Sequence, residues 1–302
     1  MHIIHTTPLR MALAANALFS LTCAGVMILF PATVGQWLGV NAPLLLQTLG
    51  AGLVLFAVDL LHQATRQRLA TWRALYASLA DLLWVVASVI VLVAFTQLFT
   101  PVGTALVVAI AAIVLLFGLL QLRGIALLHR LPVTCLYRHC ITVQTDAPAD
   151  AMWAIVARLD EIQRYMPSLK RSEVLDGLSP GLGAIRQCED HGGKQWTEEC
   201  IAFNAGRSFD VRFYTEAPDF PFPARTMVGG WEVLPTQSGS QVRVWWELTP
   251  KPAWLASVVL PLLAWQADRD FPKVIGRMAA QAQGKTMEGG SAGKVRLLPE
   301  FC

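Results

Sequence analysis

No charged side chain occurs between Arg10 and Asp59, and only Asp81 interrupts the stretch from Arg73 to Arg123. Such runs cannot fold around a water-facing surface, because a helix that is apolar all round has no side to turn to solvent. About 20 apolar residues are needed to cross the hydrocarbon core of a bilayer. Four stretches meet that length, roughly 11–30, 44–65, 74–95 and 104–128, and the breaks "PATVGQWLGVNAP", "RQRLATWR" and "TQLFTPVG" punctuate them. Lipid offers no partner for backbone amides, so helices are the expected state. A cleaved signal peptide is not expected, since the first run is already of spanning length and more follow.

Charge is unevenly placed. Residues 1–130 hold six Arg, no Lys and two acids, whereas 131–302 hold 18 basic and 19 acidic residues, so the formal net charge of +3 describes neither half. A nucleic-acid binder gathers Lys and Arg on a soluble face, and no segment here does so; nucleic acid is not an expected partner. In a four-span topology Arg10, Arg66, Arg68, Arg73, Arg123, Arg130 and Arg138 all fall on one side, against no base in the first and third loops. The positive-inside rule then predicts an integral protein of the inner or plasma membrane, with both termini and the second half cytoplasmic. Asp59 and Asp81 fall about 10–12 Å from the cytoplasmic boundary at 1.5 Å per residue. A hydrogen bond to Asn16, Ser78 or His62, water from the interface, or proton or cation handling would each account for such an acid.

After "HRLPVTCLYRHC" the period changes. "YRHCITVQT" alternates and carries β-formers, which predicts a first strand. "DAPADAMWAIVARLDEIQRYMP" opens with a helix-start signal, and Met152, Trp153, Ile155, Val156 and Leu159 give that helix an apolar face. Pro167 ends a short second helix. Six alternating segments follow: "LKRSEVLDG", "GAIRQCED", "KQWTEECIAF", "RSFDVRFYTE", "RTMVGGWEVLP" and "QVRVWWELTP". From Pro252 to about Gln283 a long helical stretch is expected to break or bend at Pro261 and Pro272, ahead of a loose tail. A curved sheet of this length must bury one face, and the C-terminal helix is the element left to cover it.

The stretches "VQTDAPADAMWAIVARLDEIQRYMP", "GLGAIRQC", "WTEE" and "GGWEVLPTQSGSQVRVWW" resemble the SRPBCC superfamily, the START-like helix-grip group that includes polyketide cyclases and lipid-transfer domains. The similarity spans about residues 138–283. It implies an α+β domain in which a curved antiparallel sheet grips a long C-terminal helix around an apolar cavity. The expected organisation is therefore a four-helix membrane domain (1–130), a helix-grip domain (131–283) and a flexible tail (284–302). Four apolar helices ahead of the domain depart from the soluble members and shift the expectation toward membrane-derived ligands.

Strand parity assigns the inner face, since successive side chains point opposite ways. Phe209, Val211 and Phe213 share one side of their strand; Met227, Trp231 and Val233, and Val242, Val244, Trp246 and Leu248, form the apolar sets of the next two. The hairpin "GAIRQCEDHGGKQWTEECIAF" is less one-sided. Its sets are Arg186 with Ala184 and Cys188, and Glu198 with Trp196, Cys200 and Ala202, and these point inward by resemblance to helix-grip receptors. A cation and a carboxylate in an apolar pocket are expected to pair with each other or with a ligand's polar head; a rim salt bridge is the plainer alternative. The candidate ligand-binding residues are Trp153, Arg186, Cys188, Trp196, Glu198, Phe209, Val211, Phe213, Trp231, Val244 and Trp246. "APDFPFPAR" is either a lid or a rigid connector, and "WLASVVLPLLAW" caps the core or presses on a membrane surface.

Other motifs carry little. Six cysteines form no CxxC pair, and a cytoplasmic domain is expected to keep them reduced. His129, Cys135, His139 and Cys140 are zinc-ligand types at a spacing unlike a finger, so no metal is expected. "GLGA" lacks the setting of a dinucleotide fold, and no phosphate loop is present; no cofactor is expected. The resulting expectation is a membrane-anchored protein that binds or transfers a lipid, isoprenoid, quinone or polyketide-like molecule, without a designated catalytic residue. A cyclase- or dehydratase-like enzyme using Arg186 and Glu198, or a regulatory subunit docking a partner protein through its membrane helices, are the alternatives.

Overall fold

A computed structural model of the chain describes residues 2–131, 134, 136–175, 181–285 and 293–299. The chain divides into two units, Met1–Leu128 and His129–Cys302, taken separately below.

The first unit contains α1 (His2–Leu29), α2 (Pro31–Leu38), α3 (Pro43–Thr65), α4 (Thr71–Ala94) and most of α5 (Pro101–His129). Four of these are long and apolar enough to cross a bilayer. Their outward sides are apolar as well: Leu44 is 76% exposed and Val93 74%. The loop expected after the first span contains a helix, α2, opened by Pro31 and closed by Gly39 in the left-handed region at φ 87°. Proline fits a first helical turn, where its missing N–H costs nothing, and glycine closes a helix without a Cβ penalty.

Polar side chains inside this unit bond to one another. Asp81 is 3% exposed, and its Oδ2 accepts from Asn16 Nδ2 on α1 (2.8 Å) and Gln121 Nε2 on α5 (3.0 Å). Ser20 and Ser78 donate to the carbonyl oxygens of those two amides, which turns both NH2 groups toward the carboxylate. Asp59 is ion-paired with Arg73 and accepts from Gln63 Nε2 at 2.5 Å. Asn16 is one of the three partners considered for these acids; Gln121, Gln63 and Arg73 are not among them.

The second unit begins with β1 (Tyr137–Thr145), α6 (Ala149–Val156) and a 3-10 turn, Leu159–Arg164, where a short α-helix was expected. Then come β2 (Leu169–Val174), β3 (Ile185–Asp190), β4 (Gln195–Asn204), β5 (Ser208–Phe213), β6 (Ala224–Thr236), β7 (Gly239–Pro250), α7 (Ala256–Ala282) and β8 (Val295–Leu297). One antiparallel sheet runs in the order β2-β3-β4-β5-β6-β7-β1-β8. Its first six strands are neighbours in sequence order, β1 lies beside β7, and β8 forms the final edge.

The inner face of the sheet packs on α6 and α7. On β7 the alternation is strict, with Val242, Val244, Trp246 and Leu248 buried between half-exposed neighbours. From α7, Ala256, Leu260, Ala267, Val274, Ile275 and Met278 enter the same core.

Three expectations are corrected. α7 runs unbroken through Pro261 and Pro272. The loose tail contains β8, whose Val143↔Leu297 and Thr145↔Val295 pairs cover the β1 edge; residues 286–292 and 300–302 lie outside the described part. Finally, the β4–β5 register shifts between Cys200 and Ala202. That bulge reverses the parity beyond it, so Ala202 is exposed and Phe203 turns onto the core. The turn expected at 177–180 also lies outside the described residues.

Candidate functional site

The β3–β4 hairpin makes Arg186 and Glu198 direct cross-strand partners. Residues opposite each other on one face of an antiparallel pair have Cβ atoms about 5 Å apart, so the register itself brings the two charges together. Both are buried, 6% and 4% exposed, and form an ion pair. Arg186 Nη1 also donates to the Leu159 carbonyl at 3.0 Å, and Trp196 Nε1 donates to the second carboxylate oxygen of Glu198 at 2.7 Å. Of the two sequence-level options, pairing with each other is the one observed. Burial opposes the arginine's charge, yet the adjoining Glu198 carboxylate holds the guanidinium above its ordinary range. Beside it, burial pushes the Cys188 thiol up to about 11. Cys200 is raised for the same reason.

Through Trp196, which bonds Glu198, the pair adjoins a cluster of aromatic rings. Trp196 meets Phe222 edge-on at 5.4 Å, Phe222 meets Phe220 at 5.5 Å, and Phe213 contacts both at 6.3 Å. All four rings are half-buried. Phe220 and Phe222 come from the proline-rich β5–β6 segment.

The remaining candidates form two further groups on the inner face. Trp153 of α6 packs on Phe209 (6.4 Å) and on the bulge-turned Phe203 (5.5 Å). Trp231 and Trp246 both contact Phe271 of α7, at 5.7 and 5.8 Å. Val211 and Val244 lie in the same core.

A feature missed from the sequence adjoins the last group. His139 is 4% exposed, and its Nε2 lies 3.0 Å from Asp268 Oδ1 on α7. Its ring contacts Trp246 at 5.2 Å and His129 at 5.5 Å. Parity along "HCITV" puts His139 on the side of Ile141 and Val143, and an inward histidine requires a polar partner. That signal was available; Asp268, 129 positions away, was not. Cys140 is disulfide-bonded, against the expectation of reduced cysteines, while Cys23, Cys188 and Cys200 are free. Cys135 lies outside the described residues.

The outer face carries a cleft of about 300 Å³, lined by Arg138, Ser208, Asp210, Glu232, Arg243 and Trp245, among others. Burial raises the Asp210 carboxyl above its usual range. Arg243 and Arg207 both pair with Glu232, and Arg138 pairs with Glu247.

A single antiparallel sheet wrapped on a long C-terminal helix defines the second unit as a helix-grip domain. Residues 139–283 match the family described as polyketide cyclase / dehydrase and lipid transport, in keeping with the resemblance of this part of the chain to SRPBCC domains. Among solved structures, the chain is similar to an uncharacterised protein from Bacillus thuringiensis (15% identity, TM-score 0.38, 46% of this chain and 95% of that one). It is also similar to norcoclaurine synthase from Thalictrum flavum in complex with dopamine and hydroxybenzaldehyde (16%, 0.38, 50% and 90%). A third is the di-domain ARO/CYC StfQ from the steffimycin biosynthetic pathway (13%, 0.41, 49% and 52%). No curated protein matches.

Proposed function

We propose that the helix-grip domain binds a hydrophobic small molecule between its sheet and α7, and that the four apolar helices anchor it to a bilayer with the domain on the cytoplasmic side. The observation that carries this reading is the half-buried cluster of Trp196, Phe213, Phe220 and Phe222 adjoining the buried Arg186–Glu198 pair. Aromatic side chains bury large apolar areas, and leaving four of them half-wet in one cluster favours an apolar guest that completes their burial. The family description, which includes lipid transport, supports the same class. A lipid, isoprenoid, quinone or fatty-acid-derived molecule fits. Tethering at a bilayer keeps the domain at high effective concentration beside such ligands, so modest affinity suffices. The ion pair, bonded also to the Leu159 carbonyl and the Trp196 indole, serves as the polar floor beside the aromatic cluster.

The test is purification of the full chain from its native membrane, followed by organic extraction and mass spectrometry. A hydrophobic molecule that co-purifies with the wild type and is depleted in Phe222→Asp is expected. An extract indistinguishable from bulk lipid in both preparations would overturn the reading.

A further inference from the structure

The His139–Asp268 pair, a buried imidazole held by a half-buried carboxylate, has no part in the Arg186–Glu198 ion pair or the aromatic cluster beside it. It joins β1, seventh in the sheet order, to the gripped helix. A carboxylate accepts and cannot donate, so the imidazole Nε2 that faces Asp268 Oδ1 carries the hydrogen. In the neutral ring that leaves Nδ1 with a lone pair. Nδ1 is fully buried and has no hydrogen-bond partner among the described residues. An unsatisfied buried polar atom is costly, and a native structure that keeps one usually supplies its partner from elsewhere. The surroundings of the ring are aromatic: Trp246 lies against it, with Phe271 and Trp231 beyond.

We infer that His139, held by Asp268, is the polar anchor of the grip, and that its Nδ1 accepts a hydrogen bond from the hydroxyl of an aromatic or otherwise apolar ligand. The inference rests on the binding function proposed above and narrows its ligand class. An unpaired acceptor beside the Trp246 and His129 rings rewards a ligand with a hydroxyl donor and discriminates against the same skeleton without one, since the latter leaves the acceptor unpaired. A phenol-bearing or hydroxylated apolar molecule is therefore preferred over a pure hydrocarbon or an ether.

Three probes of one skeleton separate the possibilities: 2-naphthol, naphthalene and 2-methoxynaphthalene, titrated into the full chain in detergent and followed by tryptophan quenching. Naphthalene lacks the hydroxyl, and the methoxy compound lacks its proton. The wild type is expected to prefer 2-naphthol over both by roughly five- to tenfold, the factor one hydrogen bond supports. His139→Phe is expected to erase the preference while still binding naphthalene. Asp268→Asn, which preserves size but no longer enforces one tautomer, is expected to reduce it and keeps the inference testable if the phenylalanine variant folds poorly. Equal binding of the three probes by the wild type, or a preference unchanged in both variants, overturns the anchor while leaving the hydrophobic site intact. Binding of none of them counts against the hydrophobic site and removes the anchor with it.

Discussion

At Arg186 and Glu198 the energetics are those of a buried pair whose partners are both committed. Removing one partner leaves the other charge uncompensated, which typically costs about 3–5 kcal/mol, whereas replacing both by apolar groups of similar volume is often neutral. Glu198→Gln is accordingly expected to lower the thermal unfolding midpoint of the second unit sharply, and Arg186→Met with Glu198→Leu to restore much of it. Tryptophan fluorescence melts of the full chain in detergent measure both; equal losses in the single and double variants would contradict the pairing. Cys188 offers a second prediction. Its thiol keeps its proton up to about 11 against an ordinary value of 9.0, because burial disfavours the thiolate. The folded state thus holds a proton that the unfolded state loses first, so the stability owed to this group is present below about pH 9 and falls away between there and about 11. At neutral pH Cys188 is expected to resist iodoacetamide until the protein unfolds, since the thiolate is the reacting species. Rapid alkylation of native protein, read by peptide mass spectrometry, would contradict that burial.

At the scale of elements, the strands whose inner face could be read correctly are those with an uninterrupted ladder. On β5 and β7 alternation of Phe209, Val211 and Phe213, and of Val242 through Leu248, is enough, because a half-buried strand has no other way to satisfy one apolar face. β4 defeats the same rule past Cys200, since a bulge inserts one residue and nothing in "ECIAF" marks it. The inward turn of Arg186 was not legible from polarity at all; it required the family resemblance. β8 escaped notice because three residues carry too little periodicity to separate from a tail. The unbroken α7 shows tertiary burial overriding two prolines, with Pro261 and neighbouring Leu260 both buried. Turn geometry is more strictly enforced. Gly239 opens β7 at φ 138°, and a Cβ there would lie 2.2 Å from the Thr145 carbonyl oxygen. Gly183 also has a positive φ of 81°, but a Cβ there meets nothing within 4 Å. Gly183→Ala is thus expected to cost only the left-handed strain, about 1–2 kcal/mol. Gly239→Ala must also push the β1 end away and is expected to cost more, by about 1–3 kcal/mol. Equal unfolding midpoints for the two variants would show that the β1–β7 corner yields without strain.

For the molecule as a whole, the bundle and the compartment pose separate questions. In the first unit Asp81 gathers donors from two other helices, so Asp81→Leu strands two buried amides, while Asp81→Asn keeps an oxygen for them. Interhelical hydrogen bonds of this kind contribute about 1–2 kcal/mol at most, so the leucine variant is expected to unfold in detergent at lower temperature and the asparagine variant close to wild type. Compartment turns on two observations that pull apart. Seven arginines on one side of the spans favour a cytoplasmic second unit. The disulfide at Cys140 belongs to an oxidising environment, because cytosolic thiols are held reduced. The arginine bias acts during insertion, whereas the redox state of Cys140 reports independently on the compartment the domain occupies. A cysteine placed at His191, exposed at the β3–β4 tip, separates the cases with a membrane-impermeant maleimide. Labelling is expected only after the cells are permeabilised, and acid-quenched samples alkylated in denaturant read the redox state of Cys140 in the cell. Labelling of intact cells together with an oxidised Cys140 in the quenched sample would mean that the arginine bias had been overridden and that the grip faces outward.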